Sequence, residues 1–133
     1  MSVLITDCSF QYRKGITVFS NLDIEFRSGA TVLLGPNGAG KSTLLCLIVG
    51  LLQPNAGTIR VGDLASHVRR TRSRYRRSVG WLPQHVAAMP GLKVREQVAY
   101  AGWLKGLSRR DAWDNAAEAL RRVALLELAD RPS

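Results

Sequence analysis

A chain of 133 residues is about one domain of polypeptide, and 46% apolar with 22% charged residues is the make-up of a packed globular protein, not a disordered one. The net charge of +9 suggests a polyanion partner until it is located: nine basic residues and one acid, Asp63, lie between Arg60 and Arg95, whereas the other 97 residues carry ten basic and nine acidic side chains. Cys8 and Cys46 have no metal or redox spacing and read as small buried hydrophobes of a reducing compartment. Met1 to Ile5 lack the basic and long apolar regions of a secretory signal, and the longest apolar run, Leu44 to Leu52, is about half a membrane span.

In chain order, Val3 through Phe10 reads as a strand, followed by a turn at Arg13-Lys14-Gly15. Leu22-Asp23-Ile24-Glu25-Phe26 alternates apolar and charged residues, the pattern of a strand with one wet face. After a turn at Ser28-Gly29, the apolar run Ala30-Thr31-Val32-Leu33-Leu34 predicts a buried parallel strand. A helix is predicted from Lys41 to about Gly50, then a turn cluster at Gln53–Gly57 and a short strand at Thr58–Val61. The basic stretch Ser66–Ser78 reads as surface helix and loop, and Val79-Gly80-Trp81-Leu82 as a second short buried strand ended by Pro83. Two helices close the chain, about Lys93–Lys105 and Arg109–Ala124. Ser108 and Asp111 form a capping pair for the second, with Ala112, Ala116, Ala119, Leu120 and Val123 on its apolar face.

The segment Gly35-Pro36-Asn37-Gly38-Ala39-Gly40-Lys41-Ser42-Thr43 fits the phosphate-binding pattern G-x-x-x-x-G-K-[ST], between a predicted strand and a predicted helix. The glycines admit positive φ and let backbone N–H groups approach a phosphate, while the helix start adds unsatisfied donors. Lys41 is placed to reach the β- and γ-phosphates, the Ser42 hydroxyl to ligate Mg²⁺, and Thr43 to supply a further donor. The segment predicts a nucleoside triphosphate site.

The same stretch, extended to Leu34 and Leu45, resembles the phosphate loop of ATP-binding cassette (ABC) transporter ATPase subunits. The resemblance runs along essentially the whole chain. It implies an α/β P-loop NTPase fold with an N-terminal antiparallel β subdomain and phosphate-loop core over about residues 1–88. The start of a helical subdomain would occupy about 89–133. It implies that Tyr12 stacks on adenine, making the ligand ATP with Mg²⁺. It also implies that Gln84, ending Val79-Gly80-Trp81-Leu82-Pro83-Gln84, contacts Mg²⁺ and the attacking water. His85 beside it reads as a surface histidine. The partners implied are a transmembrane permease subunit and a second ATP-binding subunit, with the protein cytoplasmic and peripheral at the inner face of the membrane.

The family's Leu-Ser-Gly-Gly signature, its apolar strand ending in Asp-Glu and its switch histidine do not occur in this sequence. The chain therefore resembles the first three-fifths of such a subunit, apparently truncated, and weak ATP binding with negligible hydrolysis is expected of it alone. The alternative is a nucleic-acid- or anionic-membrane-binding module built on Arg69–Arg77, six arginines in nine residues. Tyr75 is the only aromatic there and no recognised nucleic-acid motif frames it, so no nucleic-acid partner is expected. A guanine-recognition motif of the N-K-x-D type is also absent, which argues against a GTPase.

Overall fold

A computed structural model describes residues 2–13 and 15–133; Met1 and Lys14, the middle of the expected Arg13–Gly15 turn, lie outside the described residues. The chain forms two units, Met1–Trp81 and Leu82–Ser133.

The first unit is built on an antiparallel sheet in the order β2-β1-β3-β4, with β1 at Val3–Gln11, β2 at Thr17–Phe26, β3 at Ala56–Val61 and β4 at Leu64–Ala65. β2 begins well ahead of the alternating Leu22–Phe26 run, because Thr17-Val18-Phe19 is itself a β-forming stretch. β1 is irregular: its register against both neighbours shifts after residues 5 and 6, and Asp7 adopts φ +50. Polar groups hold the irregularity, with the Asp7 N–H donating to Asp23 Oδ1 at 2.8 Å and the Asn21 N–H to Ser9 Oγ at 3.0 Å. Gly57 answers it from β3. At φ +81, a Cβ on Gly57 would sit 2.2 Å from the Asp7 carbonyl oxygen, so only glycine lets β3 lie against the bulged strand.

Helix α1, Lys41–Ile48, lays Leu44 and Leu47 onto Ile5, Cys8, Phe10 and Ile59, and these six residues form the buried core. Cys8 is fully buried and its thiol is pushed up by desolvation, while Cys46 is half-buried. Helix α2, Arg72–Ser78, buries only Tyr75, whose hydroxyl donates to the Ile48 carbonyl at the end of α1. Burial pushes the Tyr75 phenol up to about 12.

Two expected strands do not form. Ala30–Leu34 is irregular, with Leu33 packed against the core but Val32 and Leu34 exposed by 75% and 88%. Val79–Leu82 is likewise outside any strand, and Leu82 is 81% exposed. A buried parallel strand exists by pairing along both edges, and the sheet of the described residues contains antiparallel pairs only.

The second unit pairs α3, Val94–Leu104, with α4, Arg109–Arg122, close to the predicted bounds. Glu96 accepts from the Lys93 N–H at 2.7 Å, and Ser108 Oγ accepts from the Asp111 N–H at 3.1 Å, so both helices start on side-chain caps. Ala112, Ala116 and Leu120 are buried as expected of the apolar face, whereas Ala119 is exposed and Val123, the residue closing α4, is 62% exposed. A face of small residues lets the helices meet closely; a Cβ on Gly102 would lie 3.6 Å from that of Ala112. A short 3₁₀ turn, Leu126–Leu128, leads to a return in which Val94 and Arg95 donate to the Arg131 and Ala129 carbonyls.

Candidate functional site

The loop Gly35–Gly40 leaves the core at Leu33 and enters α1 directly. Gly40 is the N-cap at φ +84, a left-handed conformation that strains any residue with a Cβ. Such a Cβ would also stand 2.8 Å from Phe19 Cζ and Val18 Cγ1 of β2. β2 therefore serves as the floor of the loop, a role nothing in the spacing of Val18 or Phe19 announces. The Ala39 N–H donates to the Pro36 carbonyl at 3.3 Å and closes the turn through Asn37 and Gly38. Among the described residues no side chain caps α1, and no acid stands in its first turn, so the helix presents its first donors and partial positive charge toward the loop.

Lys41 reaches back over this loop. Its Nζ donates to the carbonyl oxygens of Gly35 and Pro36, each at 2.6 Å. Ser42, the next residue, is exposed on the first turn. Thr43 is nearly buried, and its Oγ1 lies 3.0 Å from the Tyr12 hydroxyl. The Tyr12 ring, 43% exposed, stands edge-on to Phe10 with centroids 5.1 Å apart, so one side is braced and part of its surface is open. Tyr12 and residues Gly35 through Thr43 are thus gathered within one unit. Gln84 and His85 are exposed in a loop segment of the other unit.

These groups suit an anion with a planar aromatic part: backbone donors and an ammonium at one end, an open aromatic surface joined to them by a hydrogen bond at the other. Among the described residues, no cluster of three His, Cys, Asp or Glu side chains could hold a metal ion. A cation held mainly by phosphate oxygens fits better, because Mg²⁺ keeps most of its shell as water and substrate oxygen and needs one or two protein ligands. The Ser42 hydroxyl fits that requirement.

A family model described as ABC transporter matches residues 19–133. A putative ABC transporter ATP-binding protein of Methanopyrus kandleri is 39% identical over 128 residues, covering 92% of this chain and 46% of that protein. The linearmycin resistance ATP-binding protein LnrL of Bacillus subtilis is 34% identical over 114 residues, covering 85% of this chain and 36% of its own length. The chain thus spans about half or less of these relatives. Among solved structures, a dimeric post-hydrolysis state of an ATP-binding cassette bound to ADP and Pi superposes with a TM-score of 0.80. That match has 24% identity and covers 98% of this chain and 61% of the other. The fold is therefore that of the P-loop ATPases, represented here by the antiparallel sheet, the phosphate-loop helix and the first helices that follow.

Proposed function

Because this chain belongs to the ABC transporter family, we propose that it is the ATP-gripping part of a transporter's ATP-binding subunit. The observation that carries this reading is the hydrogen bond between the Tyr12 hydroxyl and Thr43 Oγ1 at 3.0 Å. It ties an open aromatic surface to the helix that follows the phosphate loop, as a ligand with a base at one end and phosphates at the other requires. Gly35, Pro36, Asn37, Gly38, Ala39 and Gly40 supply backbone to the phosphates, and Lys41 supplies the charge. Tyr12 takes the adenine face. Mg²⁺, when bound with the triphosphate, neutralises charge developing on the phosphates, and Ser42 is the side chain of this loop that would ligate it. Gln84 enters through the family resemblance alone, as a contact to Mg²⁺ and the attacking water.

Hydrolysis by these 133 residues is expected to be slow, since Ser42 and Gln84 are the groups offered for holding the cation and positioning water. A permease subunit and a second ATP-binding subunit would complete the motor, with this subunit lying at the cytoplasmic face of the membrane; no helix among the described residues is long and apolar enough to cross a membrane. Titration calorimetry with Mg-ATP tests the reading. Lys41→Ala removes a charged hydrogen-bond donor worth about 1.5–3 kcal/mol and is expected to weaken binding roughly 10- to 100-fold. Equal affinity in both proteins would overturn the proposed site. Rapid turnover, abolished by the same substitution, would overturn the expectation of slow hydrolysis.

A further inference from the structure

Six arginines, Arg69, Arg70, Arg72, Arg74, Arg76 and Arg77, lie exposed on α2 and the turn before it. None of the ion pairs among the described residues involves Arg69, Arg70, Arg72, Arg74 or Arg77. The patch is nevertheless fixed in place. Tyr75, 1% exposed, anchors α2 by its hydroxyl on the Ile48 carbonyl, and Arg76 donates to the Gly50 carbonyl at 3.4 Å. Two apolar side chains adjoin the cations: Leu51, directly after Gly50 and 62% exposed, and Val68, directly before Arg69 and 37% exposed.

From this arrangement we infer that the α2 face is a docking surface for an anionic lipid bilayer. Cations next to a negatively charged surface gain from its potential, and each contributes about a fivefold factor in partitioning when it lies within a Debye length. The exposed Leu51 and Val68 side chains gain from the boundary of headgroups and acyl chains, and nothing from a sugar-phosphate backbone. A nucleic acid fits less well. The one aromatic ring of the stretch, Tyr75, is buried and offers no stacking platform, and α2 has only seven residues. The inference rests on the proposed role as a subunit of a membrane transporter for the presence of a bilayer nearby, and gives that subunit a lipid contact separate from its nucleotide site.

Vesicle flotation of the full chain tests it, comparing phosphatidylcholine alone with the same lipid containing about 30% phosphatidylserine, at low and physiological salt. Binding is expected to the anionic vesicles only, and to weaken with salt. The quadruple variant Arg69→Gln, Arg70→Gln, Arg74→Gln and Arg77→Gln is expected to lose about a hundredfold or more in partitioning, while the corresponding four lysine substitutions keep most of it. Should the glutamine variant fail to fold, the lysine variant and the salt titration decide the matter. Equal binding to neutral vesicles, an unchanged glutamine variant, or a DNA duplex that displaces the vesicles at physiological salt would each overturn the inference. Mg-ATP titrations on the same proteins separate the two readings. Vesicle binding without ATP binding would sink the nucleotide site alone, and ATP binding without vesicle binding the lipid surface alone.

Discussion

The Tyr12–Thr43 contact yields the sharpest test of the proposed site, because it connects the end proposed to take the base to the end proposed to take the phosphates. The Tyr12 hydroxyl lies 3.0 Å from Thr43 Oγ1 in a partly buried position. A neutral hydrogen bond of this kind contributes about 0.5–1.5 kcal/mol, so Tyr12→Phe is expected to weaken Mg-ATP about 2- to 12-fold while keeping the ring. Thr43→Val removes the other partner at nearly constant volume and is expected to fall in the same range. Tyr12→Ala loses the stacking surface as well, roughly another 1–3 kcal/mol. Tripolyphosphate, which has no base, is the decisive ligand. If the hydroxyl helps to set Thr43 for the phosphates, Tyr12→Phe weakens tripolyphosphate too; a ring that only stacks leaves it unchanged. Calorimetry of the two single variants and the double variant completes a cycle, in which the double variant should be no worse than the poorer single one within ~0.5 kcal/mol. Fully additive losses, or wild-type affinity of Tyr12→Phe for tripolyphosphate, would refute the coupling.

Further outcomes follow from the packing. Gly40→Ala combines left-handed strain with a contact to Phe19 and Val18 at 2.8 Å, and is expected to cost about 1–3 kcal/mol of stability and to remove most Mg-ATP affinity, read by thermal melting and calorimetry. Gly57→Ala would drive a Cβ to 2.2 Å from the Asp7 carbonyl and should lower the Tm without a loop-specific effect on nucleotide affinity in the fraction that folds. Ser108→Ala removes the cap of α4 and should cost about 0.5–2 kcal/mol in the second unit, measurable as faster amide exchange there. Tyr75, whose phenol is raised to about 12 from an ordinary 10, adds stability that is fully present below pH 10 and lost as the pH rises toward 12, up to about 2–3 kcal/mol. Chemical denaturation across that range should show the decline, and Tyr75→Phe should flatten it.

Much of this was legible in the residues, and the reasons differ by element. The Ser108–Asp111 cap and the alanine face of α4 depend on neighbours within a turn or two, so their local spelling sufficed, except at Ala119 and Val123, where the face turns outward at the helix end. The phosphate loop was legible because its glycines are required by backbone geometry in a fixed order. Ala30–Leu34 and Val79–Leu82 misled for the opposite reason. Apolar content reports a preference for burial, whereas strand formation depends on which edge is available to pair with, and that lies outside the segment itself. The floor that Val18 and Phe19 make beneath Gly40 was hidden because it joins residues far apart in sequence through a space where one atom is missing.

In the proposed nucleotide site, the ammonium of Lys41 held by the Gly35 and Pro36 carbonyls would set a threshold for ligands. An incoming anion competes with two internal contacts before it gains anything from that charge. A single phosphate would exchange like for like, whereas a triphosphate bound as proposed would also engage the loop's N–H groups along its length. The loop would thereby favour long phosphate chains over short anions such as inorganic phosphate, and selectivity for chain length would precede any recognition of the base.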